Sequence, residues 1–202
     1  QLYALNANWP QKYDKVLKML NTDDMTLFVS ALKFAAVKHR NQRRKDRKAT
    51  PYINHPIEVA EILWHIGGVR DMVTIVGALL HDTLEDTEAT PAEISTQFGA
   101  EVLALVQEVT DDKSLPKQER KRLQILHAPQ HSVRAKQVKL ADKISNVYDL
   151  TQSPPHDWSR QRRQEYLEWA EQVVAGLRGV NPALEAHCDA LFAETRDRLG
   201  GV

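Results

Sequence analysis

The sequence predicts an all-α fold in a single domain. Apolar residues recur at spacings of three and four along most of the chain, strand-like alternation is absent over any useful length, and helix start and stop signals punctuate the pattern. A chain of 202 residues with 42% hydrophobic content is long enough to bury one substantial core.

Residues 10–20 and 24–39 each present one apolar face; in the second, Leu27, Ala31, Phe34 and Ala35 share it. The segment NHPIEVAEILWHIGG follows, with Pro56 in its first turn and Gly67 and Gly68 after its last. Residues 71–86 read as one nearly all-apolar helix, expected at the centre. TPAE at 90–93 has the capping-box pattern, with Thr90 as cap and Glu93 three positions on. Further helices are expected at 100–110, 116–126, 132–150, 158–178 and 182–198, the last opened by Asn181 and Pro182. A helical extension is expected over residues 1–23 and the domain proper over 24–202. The one long irregular connection is NQRRKDRKATPYIN, and long ordered loops tend to carry function.

Cys188 is the only cysteine, which excludes an internal disulfide framework and points to a reducing, cytoplasmic setting. No apolar run is long enough to span a bilayer and no signal-peptide pattern opens the chain, so no membrane partner is expected. The first residue is Gln1 and not Met, which leaves the true start open. Formal net charge is zero, yet KHRNQRRKDRK at 38–48 sets seven cations against Asp46 alone. A local positive field on a neutral protein suits an anionic ligand better than general adhesion to nucleic acid. A solvated basic loop is the plainer alternative.

The stretch ALLHDTLEDT, 78–87, runs from buried-looking chain into His81, Asp82, Glu85 and Asp86. On a helix turning about 100° per residue, Glu85 falls at about 40° from His81, Asp82 at about 100° and Asp86 at about 140°. Four such groups beside a core need partners, because an unpaired buried carboxylate is prohibitively costly. A divalent metal satisfies imidazole and carboxylate together. Two distant segments add to the set: His55 at a helix entry in PYINHPIEVA, and Asp142 among apolar residues in VKLADKISNVYDL. Plainer readings stand beside these. His55 could be a capping or core histidine, the Glu85–Asp86 pair a solvated turn, and Asp142 a partner of Lys139 or Lys143.

With those residues in place, the pattern H…HD…D resembles the HD-domain phosphohydrolases. RRKDRKATPYINHPIEVAEIL, ALLHDTLEDT, FGAEVLALVQEVTDD and KLADKISNVYDL together resemble the hydrolase domain of the RelA/SpoT family, closest to its small stand-alone, metazoan-type members. The resemblance implies an all-α HD-domain helical bundle and removal of the 3′-pyrophosphate from guanosine 3′,5′-bis(diphosphate) or its pentaphosphate relative. The products are GDP or GTP and pyrophosphate. Too little chain follows residue 180 for the synthetase domain of longer relatives, so a hydrolase alone is expected. A homo-oligomer is left open.

The resemblance also implies one Mn²⁺ per chain, held by His55, His81, Asp82 and Asp142. Fe²⁺ or Zn²⁺ would accept the same donors. Such an ion lowers the pKa of its water and polarises a phosphoryl oxygen. Glu85 and Asp86 match the family's second acidic pair and are expected to orient or deprotonate the attacking water, with Glu85 favoured. Arg44 is the candidate for the base face, Lys45, Lys139 and Lys143 for phosphates, and Asn146 for the sugar. Two positions depart from the family: Tyr148 replaces an arginine and Ala49 a glycine, which puts some contacts and the loop's course in doubt.

Lys113, Lys117, Arg120 and Arg122 could reach phosphates but read mostly as a solvated helix face, and Trp158, Tyr166 and Trp169, whose mix with arginine could suggest nucleic acid, read as core. Rival functions are an HD-type phosphatase acting on NADPH or another nucleotide phosphate, a non-catalytic nucleotide-binding module, and a basic nucleic-acid binder.

Overall fold

The structure, a computed structural model, describes residues 22–201. Ten α-helices account for most of them: α1 (Thr22–Lys38), α2 (Asn54–His65), α3 (Met72–Leu80), α4 (Thr83–Asp86), α5 (Pro91–Phe98), α6 (Ala100–Val109), α7 (Lys117–His127), α8 (Val133–Gln152), α9 (Arg160–Leu177) and α10 (Pro182–Gly200). Among the described residues there is no strand, only an isolated bridge between Arg43 and Pro51. The all-α expectation is met. The helix expected over 10–20, and nearly all of the extension expected over 1–23, lie outside the described residues.

The boundaries follow local chemistry. Thr90 Oγ1 accepts from the Glu93 amide while the Glu93 carboxylate accepts from the Thr90 amide, completing the capping box of α5. Asn181 caps α10 through the Leu184 amide at 3.1 Å. Gly68, at φ 63°, follows α2 in a conformation that glycine adopts freely.

Helix α8 is the spine, packed by α2, α3, α6, α9 and α10. Its inner face supplies Val138, Leu140, Ala141, Ile144, Val147 and Leu150 to the core, all 2% exposed or less. Helix α3 lies across it and is buried from Thr74 to Leu80. Gly77 lets α6 close onto α3, since a side chain there would run into Leu105.

One expectation fails in an informative way. Residues 71–86 are two helices, broken at His81 and Asp82. His81 Nδ1 reaches the Ala78 carbonyl at 2.7 Å, and Thr83 Oγ1 donates to the Leu80 carbonyl at 2.7 Å. These side chains take carbonyls that a continuing helix would offer to backbone amides. The break turns His81 and Asp82 out of the ladder and into a cleft.

Candidate active site

His55 opens α2, His81 and Asp82 form the break after α3, and Asp142 stands mid-way along α8. One ligand atom each from His55, His81 and Asp82 lie within 4.8 Å of one another. Asp142 joins them: its Oδ1 is 3.2 Å from His55 Nε2 and 4.0 Å from His81 Nε2. Four residues spread over nearly ninety positions of sequence thus meet at one point.

The surroundings hold both imidazoles at Nδ1 and turn Nε2 toward the meeting point. A carbonyl can only accept, so the 2.7 Å contact with Ala78 O fixes the proton of neutral His81 on Nδ1. Its Nε2 then carries a bare lone pair. That nitrogen is buried, lies 3.1 Å from Asp82 Oδ2 without hydrogen-bond geometry, and has no hydrogen-bond partner among the described residues. At His55 the logic takes one more step. The Ser145 hydroxyl donates to Glu58 Oε2 at 2.9 Å, so at 2.9 Å it accepts from His55 Nδ1–H. His55 Nε2 is likewise bare and faces Asp142. Metal-binding histidines are oriented by such outer partners.

The electrostatics agree. Burial disfavours an imidazolium at His81, yet Asp82 and then Asp142 raise its pKa to about 9. Burial raises the carboxyls of Asp82 and Asp142, but His81 pulls the first, and Lys143 and His55 the second, well below the usual range. The point where they meet attracts positive charge, and a metal ion competes there with a proton. Asp82 is steadied by Tyr52, whose hydroxyl donates to Oδ2 at 2.6 Å. Asp142 uses its other oxygen for Lys143, at 2.8 Å, and accepts from Asn146 Nδ2 on Oδ1 at 2.6 Å. The residues present fit a divalent cation: imidazoles held at Nδ1 by outer partners, ionised carboxylates and an orphaned buried nitrogen.

Glu85 and Asp86, adjacent on α4, have Lys113 near both carboxylates but otherwise take different partners. Glu85 accepts from the Asp111 amide at 3.2 Å and from Arg120 at 3.4 Å. Burial, then Asp111, raises its pKa to about 7. Asp86 accepts from Gln42 Nε2 at 3.1 Å and from Lys113.

The cleft has a volume of about 620 Å³, and a recess of about 430 Å³ shares Tyr52, Asp86, Asn146, Trp158 and Tyr166 with it. Arg44 and Lys45 line the recess; Lys139, Lys143 and Asn146 line the cleft. Arg44 is not free: it pairs with Asp149 at 2.5 Å and reaches Asn146 Oδ1 at 3.4 Å. Lys139 is buried and donates to the Val109 carbonyl at 3.0 Å. Lys45 is exposed. Ala49, where relatives are expected to have glycine, sits at φ 48°, so the loop keeps the left-handed turn. Tyr148 is 46% exposed and lines neither space.

For several lining residues the sequence favours another role. Trp158, Tyr166 and Trp169 pack against the core but also line the cleft in an edge-to-face and tilted series, with centroids 5.5 and 5.2 Å apart. Lys121 and Lys143 lie 4.6 and 4.8 Å from the Trp169 ring. Lys117, Arg120 and Lys121 line the cleft from α7, whereas Arg122 pairs with Glu119 at the surface as expected. The aromatic spacing predicts one inward face; nothing in it says that the face meets a cavity.

An all-helical bundle that gathers two histidines and two aspartates beside an acidic pair defines an HD-type protein. The HD-domain family profile matches residues 31–171, and the chain belongs to this family. Within it, the chain stands with the small MESH1-type members of the RelA/SpoT group. It is 57% identical over 166 residues to the human protein named guanosine-3′,5′-bis(diphosphate) 3′-pyrophosphohydrolase MESH1, covering 82% of this chain and 93% of that one. The Xenopus tropicalis protein of the same name is 55% identical over 173 residues, 86% of this chain and 97% of its own. A solved structure described as a metazoan ortholog of SpoT that hydrolyses ppGpp and plays a role in starvation responses superposes with a TM-score of 0.81 at 49% identity. The match covers 83% of this chain and 94% of that one.

Proposed function

We infer that the protein hydrolyses guanosine 3′,5′-bis(diphosphate), and its pentaphosphate relative, at the 3′-pyrophosphate, leaving GDP or GTP. The observation that carries this is the meeting of His55, His81, Asp82 and Asp142, with Glu85 lining the same cleft. The names of the relatives supply the substrate.

We propose that those four residues hold one Mn²⁺. The ion, when bound, supplies Lewis acidity toward water and toward a phosphoryl oxygen. The chain supplies the rest. Glu85, with a pKa near neutrality, takes the proton of the attacking water, and Asp86 orients that water. Oxygen bonds to the 3′-phosphorus, the bond from phosphorus to the ribose 3′ oxygen breaks, and that oxygen leaves with a proton.

Arg44 and Asn146 line the space for base and sugar, and a guanidinium suits stacking on a purine. Lys45, Lys139 and Lys143 serve the phosphates. Lys139 and Lys143 keep free donors, because an ammonium has three and each spends one on the contact described. No described helix is long and apolar enough to cross a membrane, and the single cysteine suits the cytoplasm. The hydrolase domain is taken as residues 24–202.

The test is metal-stripped protein offered the tetraphosphate, the pentaphosphate and NADPH, each with and without Mn²⁺. Pyrophosphate release from the guanosine substrates only with metal supports the reading. Turnover of NADPH alone would favour the rival phosphatase, and turnover by stripped protein would end the metal assignment.

A further inference from the structure

Behind Asp86 lies a short chain of polar contacts that the proposed mechanism does not use. His39, at the end of α1, is 1% exposed. Its Nδ1 lies 2.6 Å from Gln42 Oε1, and Gln42 Nε2 lies 3.1 Å from Asp86 Oδ2. An amide oxygen only accepts, so His39 Nδ1 carries the proton. That bond holds the amide with its NH₂ toward the carboxylate. The reverse orientation would aim Oε1 at Asp86 and leave His39 Nδ1–H buried opposite another donor. His39 Nε2 is buried and has no hydrogen-bond partner among the described residues, which is tolerable for a lone pair and costly for an N–H. The neutral Nδ1–H tautomer is therefore the form that suits its surroundings.

The same patch reaches the metal end. The Tyr52 amide donates to the Gln42 carbonyl at 3.1 Å, the His39 and Tyr52 rings lie 5.1 Å apart, and Tyr52 holds Asp82. The start and finish of the basic loop are thus tied together. From there one side chain reaches Asp82 and another reaches Asp86.

We propose that Gln42 is a positioning residue for the hydrolysis, set by His39. It fixes the Asp86 carboxylate from the side opposite Lys113, so that Asp86 meets the attacking water in one orientation. This rests on the proposed hydrolase reading. Gln42 itself does not contact His55, His81 or Asp142, so its effect falls on turnover and not on metal retention.

The experiment compares wild type with Gln42→Leu and Gln42→Glu on guanosine 3′,5′-bis(diphosphate) with Mn²⁺, recording kcat, KM, bound metal, thermal midpoint and the pH–rate profile. Gln42→Leu keeps the bulk and removes the amide. The expected result is a kcat lower by about 10-fold or more, KM within about threefold, and full metal occupancy. A Leu variant with kcat within threefold of wild type overturns the proposal. If that variant loses metal or melts early, Gln42→Glu decides. A second carboxylate beside Asp86 should move the acidic limb of the kcat profile upward, and an unmoved limb overturns the proposal. Wild type inert on this substrate would instead refute the hydrolase reading, so the two failures are distinguishable.

Discussion

The proposed metal end and the proposed nucleotide end of the cleft are built differently. At the proposed metal end, every candidate ligand comes from a helix or a helix break, is largely buried, and has a partner behind it: Ala78 behind His81, Ser145 and Glu58 behind His55, Tyr52 behind Asp82, Lys143 and Asn146 behind Asp142. At the nucleotide end, Arg44 and the exposed Lys45 lie on an irregular loop, and the opposite wall is aromatic side chains on and just before α9. On the proposed reading, the chemistry is fixed by the scaffold while recognition is left to parts that can vary without disturbing it.

That division makes predictions of graded size. Asp142→Ala removes a ligand and leaves Lys143 buried without its partner, so bound metal and turnover should both be lost. Metal analysis of the purified variant checks this, and full occupancy would take Asp142 out of the ligand set. Glu85→Gln should keep the metal but lower kcat by about 10²–10⁴-fold, the range for a general base. A base acts in its deprotonated form, so wild-type activity should rise with pH through a limb no higher than about 7, since a bound cation only lowers the carboxyl's pKa. The variant should lack that limb.

Ser145→Ala frees the His55 ring without touching a ligand, and should weaken metal affinity by about 10–100-fold in a competition titration with a chelator. At the nucleotide end, Arg44→Ala should raise KM by about 10-fold with kcat little changed, the mark of binding shared by ground and transition states. An equal fall in kcat would show that the two ends are not separable. The smallest effect is expected at the loop's turn. Ala49→Gly relieves a left-handed residue at a cost of about 1–2 kcal/mol in strain, partly offset by unfolded-chain entropy. The net gain of about 1 kcal/mol or less should raise the melting midpoint by a few degrees.

The two ends also differ in how far the sequence reveals them. The helices were legible because their periodicity and caps are local, as Thr90–Glu93 and Asn181 show. That His55, His81, Asp82 and Asp142 would meet was legible because only a few pairings of histidine and aspartate make chemical sense in apolar surroundings. The break at His81 was not, because it depends on two side chains claiming backbone carbonyls, a contest that periodicity does not register. The aromatic wall was not, because inward spacing looks the same whether the face meets core or cavity. Gln42 and His39 carried no signal at all, since an amide in a basic loop reads as solvent-exposed until its partner across the fold is known.

Arg44 and Asp149 are joined by an ion pair. A ligand that claims the guanidinium must first part it from that carboxylate, and then leave Asp149 no worse off than before. Molecules that bring phosphate alone gain little by entering, whereas one that also presents donors to the abandoned acid recovers the loss. If Arg44 binds the nucleotide as proposed, the pair is a filter as well as an anchor, and it discriminates before any bond is broken.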